Sequence, residues 1–256
     1  MAVAIIALLV SILAPSLVPA KEAAANAVCK TKIRCLQIGN DMYQQASAGW
    51  YAPGAANMGY SANRDKSTMN LQRWFGRRSS KTQPFSDENG ALSDYLSGRA
   101  VRQCPGFREY LTGFEAGCGG YGYNDNYVGM YVVPGGSGGL YKPGNVIHDF
   151  TGNRADAFAR PPATVAFTDT AYVDGGYKEY SFCESPRMST YDWPLRPTIH
   201  FRHRGWTNVT WLDSHVTEET MTFSNEGGST RPDAGRPIDF GVGWFGPQTN
   251  ELFDCE

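Results

Sequence analysis

The chain has 256 residues, a formal net charge of -2 and a pI near 6.1, with 41% hydrophobic and 13% aromatic residues. This near-neutral balance, without any Lys/Arg cluster, excludes partners held mainly by charge, nucleic acid first among them. The 29 glycines and 15 prolines describe a loop-rich body whose Tyr and Trp rings can be buried while their polar tips stay wet.

Met1 to Ala20 carries no charged side chain. About twenty helical residues, at roughly 1.5 Å each, match the roughly 30 Å hydrocarbon core of a bilayer, so a membrane-spanning helix is expected at the start. A cleaved secretory signal, a lone anchor and an assembly helix all fit such a run. No Lys or Arg precedes the apolar core, which weighs against a signal, although Val18-Pro19-Ala20 offers a peptidase small residues. The run passes directly into KEAAANAVCKTKIRCLQIGNDMY, where Cys29, Ile33, Leu36 and Tyr43 share one helical face. One helix is therefore expected to end near Gln45, with a bend at Pro15 and a second disturbance at Pro19, because proline removes a backbone donor. Residues 1-47 form this membrane and assembly helix, and residues 48-256 form one globular domain.

Beyond the helix, SAGWYAPGAANMGYSANRD is rich in turn residues. Ser86 to Asn89 leads into a short predicted helix, GALSDYLSG. Strands are predicted in VRQCPGF, in YNDNYVGMYVVPGGSGG and in ARPPATVAFTDTAYV, with Asp169 near the end of the last. The clearest β region spans residues 199-223. The fold class is accordingly α+β: a long N-terminal helix packed on a body with an antiparallel sheet and long loops.

The six cysteines are an even count in a chain that looks exported, which favours disulfides. Cys29 and Cys35 cannot bridge within one helix, because six residues rise about 9 Å. Cys104 and Cys118 are the first expected pair, since closing a loop of about 15 residues contributes on the order of 3 kcal/mol. Cys183 and Cys255 are the other candidates. Gly135 to Gly139 matches the G-x-S-x-G pattern, but Pro143 and Gly144 stand where the following helix would have to be. No P-loop, dinucleotide fingerprint, EF-hand loop or HExxH occurs, so no catalytic residue is assigned. Asn208-Val209-Thr210 is a formal glycosylation acceptor inside a predicted strand.

The segment from His203 to His215 carries the most chemistry. Ile199, Phe201 and His203 fall on one strand face, a turn is expected at Arg204 to Thr207, and Val209 and Trp211 alternate on the next strand. A second tight turn at Asp213-Ser214 would set Leu212 opposite His215 and Trp211 opposite Val216. His203, Asp213 and His215 could then meet as a zinc or other divalent-metal set. The simpler reading is structural: a His-Asp pair pins a turn, with Asn208 in a similar role.

Ala4-Ile5-Ile6-Ala7-Leu8-Leu9, Ile12-Leu13-Ala14-Pro15, Ala27-Val28-Cys29 and Leu36-Gln37-Ile38-Gly39 with Met42-Tyr43 resemble the N-terminal helix of type IV pilin-like proteins related to type II secretion pseudopilins. His203 with Asp213 resembles the H-X9-DG element of a large subfamily of these. Arg102-Gln103-Cys104-Pro105, Tyr121-Gly122-Tyr123-Asn124 and Arg160 to Asp169 are similar to its recurring blocks. The resemblance implies a structural subunit, not an enzyme. It would sit in the inner membrane and then join a periplasmic or cell-surface filament, contacting copies of itself or related pilins through residues 1-45. It implies no cofactor; the alternative is a membrane-anchored or secreted binding protein or enzyme with a divalent metal at His203, Asp213 and His215. Alignment on the AIIALL block places the family's basic leader and about seven mature residues ahead of Met1. Ser214 stands where the family has Gly, so a turn of another type is expected there.

Overall fold

The computed structural model describes residues 2-55, 70-96, 103-108, 110-133, 146-148, 152-187, 195-225 and 235-255, with backbone alone for 2-16, 131-133 and 146-148. One helix, α1, spans Ala2–Ala46 and continues through Pro15 and Pro19. It stops where Ala48 and Gly49 take positive φ angles of 51° and 92° while Gly49 N–H donates to Gln44 O. Such a left-handed cap closes off the last carbonyls, one residue from the expected end.

The expected stripe is the buried face. Cys29, Ile33 and Leu36 are fully buried and Tyr43 half-buried, while Arg34, Cys35 and Ile38 on the other side are exposed. Gln37 and Asn40 are buried with the stripe: Gln37 Nε2 donates to Leu212 O, and Asn40 Oδ1 accepts from Ala52 N–H. Residues 17-24 are exposed. Among the described residues, no helix is long and apolar enough to cross a membrane. Most of the apolar run Met1 to Ala20 lies where the backbone alone is described.

The strands are β1 (Gln72–Arg73), β2 (Gly76–Arg77), β3 (Tyr121–Tyr123), β4 (Tyr131–Val133), β5 (Val146–His148), β6 (Val165–Asp169), β7 (Tyr172–Val173), β8 (Tyr177–Lys178), β9 (Ile199–His200), β10 (Trp206–Trp211), β11 (Val216–Thr220) and β12 (Val242–Gly243). Four of them form an antiparallel sheet in the order β11-β10-β6-β3. Helix α1 lies on β6 and β10. The other strands pair off as short antiparallel ribbons.

Strand alternation divides the sheet into two faces. On one face Val165, Val209 and Trp211 pack with Ile199, Phe201, Trp244, Phe245 and Phe253. Toward the helix lies the larger core, in which Cys29, Ile33 and Leu36 meet Trp74, Tyr121, Tyr123 and Phe167. The helix side of β10 is polar, with Asn208 and Thr210 both fully buried. A buried polar face needs partners at the same place, and this need organises the site below.

Two predicted elements take other forms. The short helix is one 3-10 turn, Ser93–Tyr95. The described part of VRQCPGF is a turn, not a strand, because Phe107 N–H folds back to Cys104 O and Pro105 has no N–H for a ladder. The glycine loop at 135-139 lies outside the described residues.

Candidate functional site

The segment around β10 folds as two reversals, neither quite as expected. At the first, His203 and Trp206 exchange both backbone hydrogen bonds, and Arg204 and Gly205 have φ of 59° and 88°. Positive φ at both central residues is the type I′ requirement, so the turn spans His203 to Trp206 and not Arg204 to Thr207. At the second, Ser214 N–H donates to Trp211 O, Trp211 N–H donates to His215 O, and Thr210 pairs with Val216. Ser214 has φ of 69°, the left-handed conformation that a glycine would take, which adds one residue to a turn centred on Leu212-Asp213. The loop therefore has three residues, and the register lies one place from the two-residue expectation.

This geometry takes apart the His203, Asp213 and His215 set. His203 precedes β10 and the other two follow it; six strand residues at about 3.3 Å each keep them roughly 20 Å apart. Asp213 and His215 pair with each other at 2.5 Å on the surface, and the His215 ring stacks on Trp211 at 5.6 Å. That pair pins a turn, as the structural reading expects. His203 is buried elsewhere, among residues that no local spacing brings together.

Those residues are Cys29 of α1, Cys104 of the Pro-Gly turn and Asp169 at the end of β6. One ligand atom from each, with one from His203, fall within 4.8 Å of one another, and all four residues are buried. Cys29 Sγ lies 3.4 Å from Cys104 Sγ and donates to Asp169 Oδ1 at 3.2 Å. His203 Nε2 stands 3.6 Å from Cys104 Sγ and 3.3 Å from Asp169 Oδ2. Lys32 Nζ donates to Gln103 O and so fastens the Cys104 turn to the helix.

A surrounding shell fixes the four. Asn208 N–H donates to Asp169 Oδ2 at 2.9 Å, and Asn208 Nδ2 donates to Asn26 Oδ1 of the helix, also at 2.9 Å. Asn208 therefore links Asp169 to the helix from within a strand instead of pinning a turn, and its complete burial leaves no surface for a glycan. Tyr121 Oη donates to Cys29 Sγ. Arg202 places Nε 3.8 Å from Asp169 Oδ1, donates to Gly120 O and Thr170 O, and stacks on Phe107.

Burial makes these charges interdependent. It opposes ionisation of Asp169, but Arg202 and His203 hold that carboxyl well below the usual carboxylate range. Burial also opposes charging of His203, yet its hydrogen bonds to Asp169 and Cys104 push it up to about 9. Cys104 falls to about 6 against burial, chiefly through its hydrogen bond with Cys29, with Arg202 and His203 adding to it. Cys29 moves the other way, raised by burial and by the same contact. Without a ligand, the cluster holds an Asp169-Arg202 pair beside a Cys104-His203 pair.

The expected disulfide between Cys104 and Cys118 is not formed, and none of the six cysteines is part of a disulfide. Cys104 turns its sulfur to Cys29 and His203, and Cys118 is buried where burial and Glu179 push its thiol up. Cys183 is buried and Cys255 Sγ accepts from Asn153 Nδ2, so these two do not pair either.

A cavity of about 880 Å³ opens beside the cluster, between the helix residues Lys21, Glu22 and Asn26 and the turn residues Arg202, His203 and Arg204. Comparison of the chain with known protein families, with curated proteins and with solved structures found no match. Cys29, Cys104 and Asp169 are residues of this site that spacing alone does not bring to His203. The usable signals are a cysteine on the buried stripe and a carboxylate inside a fully buried strand, where unpaired charges are rarely found.

Proposed function

We propose that the chain is the structural subunit of a type IV pilus-like or type II secretion pseudopilus-like filament, assembled through its N-terminal helix. One observation carries this reading: α1 is continuous from Ala2 to Ala46, and its tightly packed stretch begins only around Asn26 and Cys29. Val18 to Asn26 flank the cavity, and Ala2 to Leu17 add roughly 24 Å of further helix. That leading half is apolar in sequence. A helix of this kind can rest in lipid and later bury the same surface against neighbouring helices, at about 25 cal/mol per Å² of apolar area kept from water. The body would then decorate the outside of a helical core. The resemblance of the helix and of the His203 to Asp213 element to pilin-like sequences supports the same reading, and the inner membrane is the expected site before assembly.

The test is filament formation in cells that carry a pilus assembly system. Electron microscopy with an antibody to the body should find the full chain in surface filaments. The variant lacking residues 1-20 should be a folded monomer by circular dichroism and sedimentation. Filaments built from the truncated chain would overturn the reading.

A further inference from the structure

The cluster beneath the first turn has the composition and geometry of a metal centre. Two thiols, a carboxylate and an imidazole converge from four distant segments: a helix, a Pro-Gly turn, a strand end and a hairpin turn. We propose that Cys29, Cys104, Asp169 and His203 form a four-ligand zinc site that staples the assembly helix to the globular body.

The separations fit. Zinc bonds of about 2.3 Å to sulfur and about 2.0–2.1 Å to nitrogen or oxygen give tetrahedral edges of about 3.8 Å between sulfurs, about 3.6 Å from sulfur to nitrogen or oxygen and about 3.3 Å from nitrogen to oxygen. The corresponding contacts are 3.4 Å for Cys29 with Cys104 and 3.6 Å for Cys104 with His203, while Asp169 meets Cys29 through Oδ1 at 3.2 Å and His203 through Oδ2 at 3.3 Å. The sulfur-sulfur and sulfur-nitrogen contacts lie within about half an ångström of their tetrahedral values, and one ligand atom from each of the four residues falls within 4.8 Å of the others, so that a turn of the Asp169 carboxylate brings a single oxygen to the ion.

The charge fits as well. With both cysteines as thiolates, the two sulfurs and Asp169 carry three negative charges, and Arg202 beside them carries one positive. A divalent cation leaves the buried group neutral, as burial requires. On binding, two protons leave the ligand set for solvent as sulfur and imidazole nitrogen replace water on the ion. Thiolate and imidazole donors select zinc over magnesium or calcium, which prefer oxygen cages. Four protein ligands leave no open position, so the centre is structural and not catalytic. The orienting shell that metal sites need is present: Asn208 N–H and Arg202 on Asp169, and Tyr121 Oη on Cys29. Entry is open too, because His203 and Arg202 line the cavity.

The site stands independently of the filament reading. The full chain, purified in detergent without chelators, should contain about one zinc per molecule by elemental analysis. Replacement by Co²⁺ should give a thiolate-to-cobalt charge-transfer band and the visible bands of a tetrahedral ion. His203→Ala and Cys104→Ser should each weaken Zn²⁺ binding by at least about 100-fold, the upper end of what loss of orienting groups alone produces, whereas Cys35→Ser should not change it. Should the variants fail to fold, the cobalt spectrum of the unaltered chain and its loss on adding a chelator decide the matter. An unaltered chain with free thiols and no charge-transfer band overturns the proposal. A Cys29-Cys104 disulfide in metal-free protein, read by peptide mapping, overturns it too.

Discussion

Two histidine-aspartate pairs stand at opposite ends of β10, and the one in closer contact is the less consequential. His215 and Asp213 approach to 2.5 Å with side chains 43% and 36% exposed, whereas His203 and Asp169 stand 3.3 Å apart with 4% and 0% exposed. Water screens the first pair, and exposed pairs of this kind contribute about 0.2–1 kcal/mol. In the second, Arg202 and Asn208 also lean on the same carboxylate, so removing it strands several groups at once. Solvent access ranks these pairs where distance does not.

The largest expected effect follows directly. Asp169→Ala should cost about 3–5 kcal/mol in urea unfolding, because it leaves Arg202 and His203 without their shared counter-charge. Asp213→Ala should cost less than about 1 kcal/mol. Equal losses would break the comparison.

Next in size is the helix that carries Cys29 into the cluster. Ile33→Ala, one turn further along the same buried stripe, should cost about 2–5 kcal/mol. Leu17→Ala, at a position 64% exposed, should stay within about 0.5 kcal/mol in the dissolved monomer while impairing filament assembly. A cost at Leu17 matching that at Ile33 would show the leading half of α1 to be held by the body itself.

A third test sets Asp169 against Glu184. Glu184 accepts from Asn126 Nδ2 and Tyr180 Oη, and burial raises its carboxyl above the ordinary range. A raised carboxyl binds its proton more tightly in the folded state. Its contribution to stability is therefore present below the unfolded value near 4.5 and is lost as pH rises through the raised folded value. Glu184→Gln should raise stability at pH 7 by under about 1 kcal/mol and flatten the pH profile above 4.5, the opposite sign to Asp169→Asn. Thermal unfolding across that range distinguishes the two.

The smallest effects lie in the two turns. Arg204 adopts positive φ with an exposed 3.8 Å contact to Glu22, so Arg204→Asn should gain up to about 1 kcal/mol. Ser214→Gly relieves a similar conformation but loses the hydrogen bond from Ser214 Oγ to Asp41 Oδ2, leaving a change near zero. A large gain at Ser214 would mean that this hydrogen bond contributes little.

Much of the architecture was legible before any coordinates. The apolar periodicity of Cys29, Ile33 and Leu36 specified both the helix and its buried face, because a 3.6-residue repeat needs no distant information. The strands at 165-169 and 206-211 and the antiparallel sheet followed from alternation, and the end of α1 from a local change in composition. The turns were placed to within a residue, but not their types, since Arg204 and Ser214 take conformations that neither residue type advertises.

The site itself was decided by tertiary structure. The residue types within His203 to His215 suggested that their histidines and carboxylate meet, yet β10 is a rigid strut that holds its two ends apart. What His203 meets instead comes from the helix stripe, from a Pro-Gly turn and from a strand end, all brought together only when the sheet closes beneath α1. Local periodicity fixes which way a side chain points. Which distant side chains share its pocket depends on packing across the sheet, and that information is spread over the whole chain.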